Sequence, residues 1–99
     1  MTKHTFTTQG KIQILRAEKL LMEYQNRRIL AEVDDLILDD FKWYVVDLAD
    51  AEYLNSAGFN FLIALLTKSR NVGGETVIIN VNEKIETEGY SSWTKKKRN

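Results

Sequence analysis

The sequence predicts an α/β fold: one domain with a mixed, mostly parallel central sheet flanked by amphipathic helices. Strand-like and helix-like patterns alternate from Lys11 to Val81, and the last three form a strand–helix–strand unit. In a single sheet that order implies a right-handed crossover between parallel neighbours. The chain has 99 residues, enough for one hydrophobic core. Its 43% hydrophobic and 28% charged residues are those of an ordered globular domain rather than a disordered one.

Lys11–Leu15 (KIQIL) places isoleucines at alternate positions, as a half-buried strand does, and Gly10 before it suits a turn. From Met22 onward, Met22, Ile29, Leu30, Val33, Leu36 and Ile37 fall within an arc of about 120° on a helical wheel, opposite Arg27, Asp34 and Asp35. This predicts the first helix. Trp43–Leu48 (WYVVDL) is short, aromatic and β-branched, the composition of a central strand buried on both faces.

After the connection Ala49–Asn55, Ser56 suits a helix N-cap. Phe59, Leu62, Ile63 and Leu66 then follow at i, i+3, i+4 and i+7, with Gly73 and Gly74 as the stop. Phe61, Leu65 and Val72 widen that apolar arc to about 200°, beyond what one buried face needs, so part of it is free to face a partner. Glu75–Val81 (ETVIINV) is the last strand. Residues 1–82 are thus read as the domain and residues 83–99 as a polar, basic tail.

Composition excludes several functions. There is no cysteine and only one histidine, so neither a disulfide framework nor a protein-built zinc site is expected. No run is long and apolar enough to span a bilayer, and Met1–Gly10 lacks the apolar centre of a signal peptide, which reads as a cytoplasmic protein without a membrane role. Lys95, Lys96, Lys97 and Arg98 sit together at the end. Without them, ten basic residues face fourteen acidic ones, and such an acidic body is a poor nucleic-acid surface.

Few residues could carry chemistry. His4 reads as part of a mobile polar tail. Asp34, Asp35, Asp39 and Asp40 read as a solvated face. Asp47 interrupts an apolar strand, and its structural reading is a carboxylate accepting donors from the loop that follows. No phosphate-loop glycine spacing exists, and Ser56 has no histidine or lysine neighbour in sequence to activate it. No catalytic, metal or cofactor site is predicted. What remains is Ser56 where the chain enters a helix, between Asn55 and Ala57-Gly58, beside an apolar rim at Leu54 and Phe59.

The run VVDLADAEYLNSAGFNFLIALLTKSRNVGGETVIINV resembles the core of the bacterial anti-sigma factor antagonists of the STAS domain family. Val45-Val46-Asp47-Leu48 matches their strand ending in an Asp-Leu pair. Leu54 to Phe59 matches their (apolar)-D-S-(S/T)-G-(apolar) turn, Phe61–Leu66 the helix, and Gly73-Gly74 with Val77–Val81 the remainder. The resemblance implies a domain without enzymatic activity that binds an anti-sigma factor, itself a serine kinase. It further implies phosphorylation of Ser56 by that kinase and restoration of the hydroxyl by a separate serine phosphatase.

By the same resemblance, Asn55, Ser56, Ala57, Gly58, Phe59 and Asn60 are the partner-binding residues. This chain has Asn55 in place of the family's aspartate and Ala57 in place of its second Ser/Thr. Its C-terminal sequence is polar and basic where the family continues into an apolar helix, which implies an absent or altered C-terminal helix and a sheet or helix surface open to a second copy. Two further functions are consistent with the residues: a constitutive scaffold domain in which Ser56 only caps its helix, and a sensory module holding a small anion at that helix start.

Overall fold

In the computed structural model, which describes residues 4–20, 22–51 and 54–81, the expected elements are preceded by a further strand. The order is β1 (His4–Gln9), β2 (Ile12–Ala17), α1 (Glu23–Leu38), β3 (Trp43–Asp47), α2 (Ser56–Asn71) and β4 (Glu75–Ile79). The strands form one sheet in the order β1-β2-β3-β4, with β1 antiparallel to β2 and the other neighbours parallel. This is the mixed, mostly parallel sheet expected, with β3 in its interior. The tail assigned to residues 83–99 lies outside the described residues.

The N-terminal segment is a strand, not a mobile tail. HTFTTQ has the β-branched threonines of a strand but only one large apolar residue, Phe6, to mark its buried side. Gly10, at φ +61°, opens a two-residue turn that pairs Gln9 with Ile12, a position where glycine relieves backbone strain. The His4 Nε2 lies 2.6 Å from Glu32 Oε2 on α1, tying the edge of the sheet to the helix layer.

Both helices pack on one face of the sheet. Leu15 and Ala17 of β2 and Tyr44 and Val46 of β3 join Ile29 and Val33 of α1 and Phe61, Leu62 and Leu65 of α2 in one buried core. The buried Tyr44 hydroxyl donates to the Phe41 carbonyl at 2.7 Å, and burial pushes its pKa up to about 12. β3 is not buried on both faces as its composition suggested. Trp43 remains 40% exposed and Val45 half-buried, because among the described residues no helix packs on their side.

The buried stripe of α2 also differs from the expected one. Gly58, Phe61, Leu62, Leu65, Leu66 and Ser69 face inward, whereas Ile63 is 46% exposed. The stripe is rotated by roughly 80° from the pattern built on Phe59 and Ile63, because a wheel with apolar residues over about 200° does not by itself say which part meets the sheet.

Each helix ends in a Schellman turn. After α1, Asp40 N–H donates to the Ile37 carbonyl and Phe41 N–H to the Leu36 carbonyl, both at 2.9 Å. The left-handed position falls on Asp40, at φ +72°, where an aspartate is both strained and of the wrong sign for a helix C-terminus. Asp40→Gly is therefore expected to stabilise the fold by about 0.5–1 kcal/mol and raise Tm by roughly 4 °C. A calorimetric scan returning a lower Tm would contradict this account of the turn.

Candidate functional site

The Ser56 turn is assembled at the end of the sheet where β3 and β4 finish. Asp47, the last residue of β3, holds the following loop: its Oδ1 accepts from Ala49 N–H at 2.9 Å and from Asn80 Nδ2 at 3.0 Å. The Asn80 hydrogen bond chiefly, then the Ala49 N–H and the Arg16 guanidinium, hold the carboxyl below its ordinary pKa. Asp47 thus does the structural work expected of it, fixing the point from which the chain leaves toward α2. Leu48 N–H donates to the Ile79 carbonyl at 3.0 Å and strengthens that anchor.

The helix cap lies one residue earlier than its expected position. Asn55, not Ser56, is the N-cap: its backbone is extended and its side chain accepts from Gly58 N–H at 3.0 Å. Ser56 is the first helical residue and is exposed. Asn60 and Ile63 continue the exposed side of α2 from Ser56, with the half-buried Phe59 at their margin. A hydroxyl therefore stands at one end of a short polar-to-apolar surface on a single helix.

Of the six residues from Asn55 to Asn60, Gly58 is the buried one, while Asn55, Ala57 and Phe59 are half-buried and Ser56 and Asn60 exposed. A Cβ on Gly58 would come within 2.7 Å of Leu54 Cδ2 and 3.1 Å of the Leu20 carbonyl oxygen. The glycine lets the start of α2 lie against the β2–α1 connection. Asn26 of α1 completes this junction: its Nδ2 donates to the Leu20 carbonyl at 2.9 Å and to the Ala57 carbonyl at 3.2 Å. Among the described residues no donor reaches its buried Oδ1.

Asn26 was not singled out from the sequence, although a signal was available. It lies three residues before Ile29 and seven before Val33, on the buried stripe of α1, where a polar side chain needs hydrogen-bonding partners. Ile63 was missed as a surface residue for the opposite reason, having been assigned to the buried stripe. Among the described residues no cluster of three His, Asp or Glu side chains could hold a metal ion, and no helix is long and apolar enough to cross a membrane.

A first turn of this kind favours negative charge. Free backbone N–H groups and the helix dipole lower the cost of an anion there, and the side chain just before Ser56 carries no charge to oppose one. The family model of the STAS domain matches residues 4–88. A crystal structure of a candidate anti-sigma factor antagonist from Thermotoga maritima superposes with a TM-score of 0.80 at 21% identity, covering 96% of this chain and 80% of that one.

Two further solved structures are similar. An anti-sigma factor antagonist from Mycobacterium paratuberculosis has a TM-score of 0.68 at 15% identity, over 98% of this chain and 82% of that one. An antisigma-factor antagonist STAS domain from Rhodobacter sphaeroides has a TM-score of 0.66 at 22% identity, over 87% and 94% respectively. At these identities the structural likeness speaks for the fold. A search of curated proteins finds no match.

Proposed function

This chain belongs to the STAS domain family, and from that premise we propose that it is an anti-sigma factor antagonist, a binding protein rather than an enzyme. Unphosphorylated, it holds an anti-sigma factor of the serine-kinase type through Asn55, Ser56, Ala57, Phe59 and Asn60, with Ile63 extending the contact. Phosphorylation of Ser56 by that partner releases it, and a serine phosphatase restores the binding form. The observation that carries this reading is the exposed Ser56 at the first turn of α2, with the cap supplied by its neighbour Asn55.

The departures from the family motif have a physical reading here. Asn55 caps through its side-chain oxygen, a role aspartate would also fill, so the exchange retains an acceptor and removes a charge. A phosphate of about −1.5 to −2 charge on Ser56 then meets the helix dipole without an adjacent carboxylate, and the domain stays folded when modified. Release must act at the interface, where the dianion is stripped of water or set against partner carboxylates. A loss of two to three orders of magnitude in affinity requires about 3–4 kcal/mol, within the range of a buried unpaired charge.

The test uses an anti-sigma serine kinase from the same genome. Ser56→Ala is expected to bind it with near wild-type affinity and to gain no phosphate, and Ser56→Glu to bind at least a hundredfold more weakly by calorimetry. Intact-mass measurement after incubation with kinase and ATP should find one phosphate on the wild type. Equal affinities for the wild type and Ser56→Glu would sink the switch. Binding without phosphate transfer would instead favour a constitutive interaction domain.

A further inference from the structure

Among the described residues, the helices cover one face of the sheet, and the other is apolar. Ile12 and Ile14 of β2, Trp43 and Val45 of β3, and Val77 and Ile79 of β4 project from it. Trp43 is 40% exposed and Val77 52%, in neighbouring rows of the sheet. Contiguous apolar surface of this kind marks an interaction site. At the end of the face nearest the Ser56 turn, Arg16 and Asp47 lie side by side, with Arg16 Nε 3.7 Å from Asp47 Oδ2 and 3.5 Å from Asp50 Oδ2.

We propose that this face is covered by a second copy of the chain, in a weak symmetric dimer stacked sheet to sheet. Charge complementarity selects both the occupant and the symmetry axis. A two-fold axis parallel to the strands, between β2 and β3, lays β2 of one copy over β3 of the other. Ile12 then meets the partner's Trp43, Ile14 the partner's Val45, and Arg16 the partner's Asp47: hydrocarbon on hydrocarbon and cation on anion, twice over by symmetry. Val77 and Ile79 fall opposite threonines of β1, and Glu75 opposite Gln9.

A two-fold axis across the strands does the reverse. It sets Arg16 over the partner's Ile12 and Asp47 over the partner's Trp43, burying each charge against hydrocarbon at a cost of several kcal/mol. Sheets stacked about 10 Å apart and rotated by about 30° retain the central pairs and loosen the corners. Four strands about 4.8 Å apart, each about five residues long, offer roughly 300 Å² per copy in projection. That is well below the about 800 Å² per partner of a stable complex, so the dimer forms at micromolar concentrations or above. Ser56 lies in the helix layer on the opposite side and stays accessible.

Sedimentation velocity of the full chain from about 1 μM to about 1 mM tests the proposal. The expected result is a mass rising with concentration from 11.5 kDa toward twice that value. In a Trp93→Phe background, Trp43 emission should shift to the blue in parallel. Trp43→Glu and Val77→Lys, each confirmed folded by circular dichroism, are expected to raise the dissociation constant at least tenfold, whereas Leu38→Lys, at the exposed end of α1, leaves it unchanged. A monomer throughout the range overturns the proposal, as does an association that survives both sheet variants. Either result leaves the Ser56 reading intact, since that is judged by kinase binding.

Discussion

Gly74→Ala is expected to remove most of the stability of the domain, while Gly73→Ala one residue earlier costs about 1 kcal/mol. The two glycines close the same Schellman turn after α2, with Gly73 N–H donating to the Arg70 carbonyl at 3.0 Å and Gly74 N–H to the Ser69 carbonyl at 2.8 Å. Their reasons for being glycine differ. Gly73 has φ +85° and open space where a Cβ would stand, so alanine there meets only backbone strain. A Cβ on Gly74 would lie 1.8 Å from the Lys42 carbonyl oxygen and 2.6 Å from its carbon.

That carbonyl has no freedom to retreat, because it accepts the Glu75 N–H at 3.1 Å and so sets the parallel register that pairs Trp43 with Glu75. Relieving the overlap means separating β3 from β4 at their first pair or unwinding the end of α2. Either removes several hydrogen bonds, for a cost above about 4 kcal/mol, in a domain whose total stability is on the order of 5–15 kcal/mol. Urea denaturation of the two alanine variants measures the contrast directly. A Gly74→Ala midpoint no lower than that of Gly73→Ala would show that the two connections do not press together.

In sequence, α1 was legible because period and burial coincide in the stripe holding Ile29 and Val33, while the strands were legible from their β-branched and alternating composition alone. Which face of a strand is covered was not legible: the isoleucines of β2 lie on the uncovered face, and Gln13, Leu15 and Ala17 on the buried one. β1 was not legible because pairing at the sheet edge rests on backbone hydrogen bonds, and Phe6 alone gives the strand an apolar side. The inward face of α2 was misplaced because Phe59 and Ile63 are as apolar as Phe61 and Leu65, and only the direction from which the sheet approaches separates them.

At the candidate site, the position of Ser56 at a helix start could be read from a small polar residue preceding an apolar repeat. The identity of the cap could not, since Asn55 and Ser56 are both good caps and a one-residue shift depends on backbone angles. Asp47 was legible as a structural carboxylate because a charge inside an apolar strand must find donors, and it does. The partners of Asn26, which join the β2–α1 connection to α2, were out of reach: its two acceptors are backbone carbonyls 6 and 31 residues away, which carry no side-chain signature in the sequence.

Asn26→Asp changes one atom's chemistry at nearly constant shape and is expected to cost about 3–5 kcal/mol at neutral pH. The Asn26 amide works as a donor, facing the carbonyl oxygens of Leu20 and Ala57. The opposite orientation of the amide would set oxygen against two oxygens. An aspartate has no hydrogen to offer once ionised, so a buried charge would face two acceptors, and its folded-state pKa must rise above the unfolded value of about 3.9. The sign follows from proton linkage: below the unfolded pKa the protonated carboxyl restores one donor and most of the stability, and the loss grows as pH rises through and above that value until the folded form also ionises.

Asn26→Ala separates the charge effect from the loss of donors. It strands the same two carbonyls without introducing a charge, for about 1–3 kcal/mol that does not vary with pH. Urea midpoints of the two variants, each referred to wild type at pH 3.5, 5 and 7, should therefore diverge as pH rises. A flat profile for Asn26→Asp would mean that the amide is not a donor at this junction. Because Ala57 follows Ser56 directly, Asn26→Ala should also loosen the first turn of α2 while leaving the Ser56 hydroxyl in place. Weaker kinase binding by Asn26→Ala at temperatures where it is fully folded would then measure how far the helix start must be held rigid for the partner to grip it.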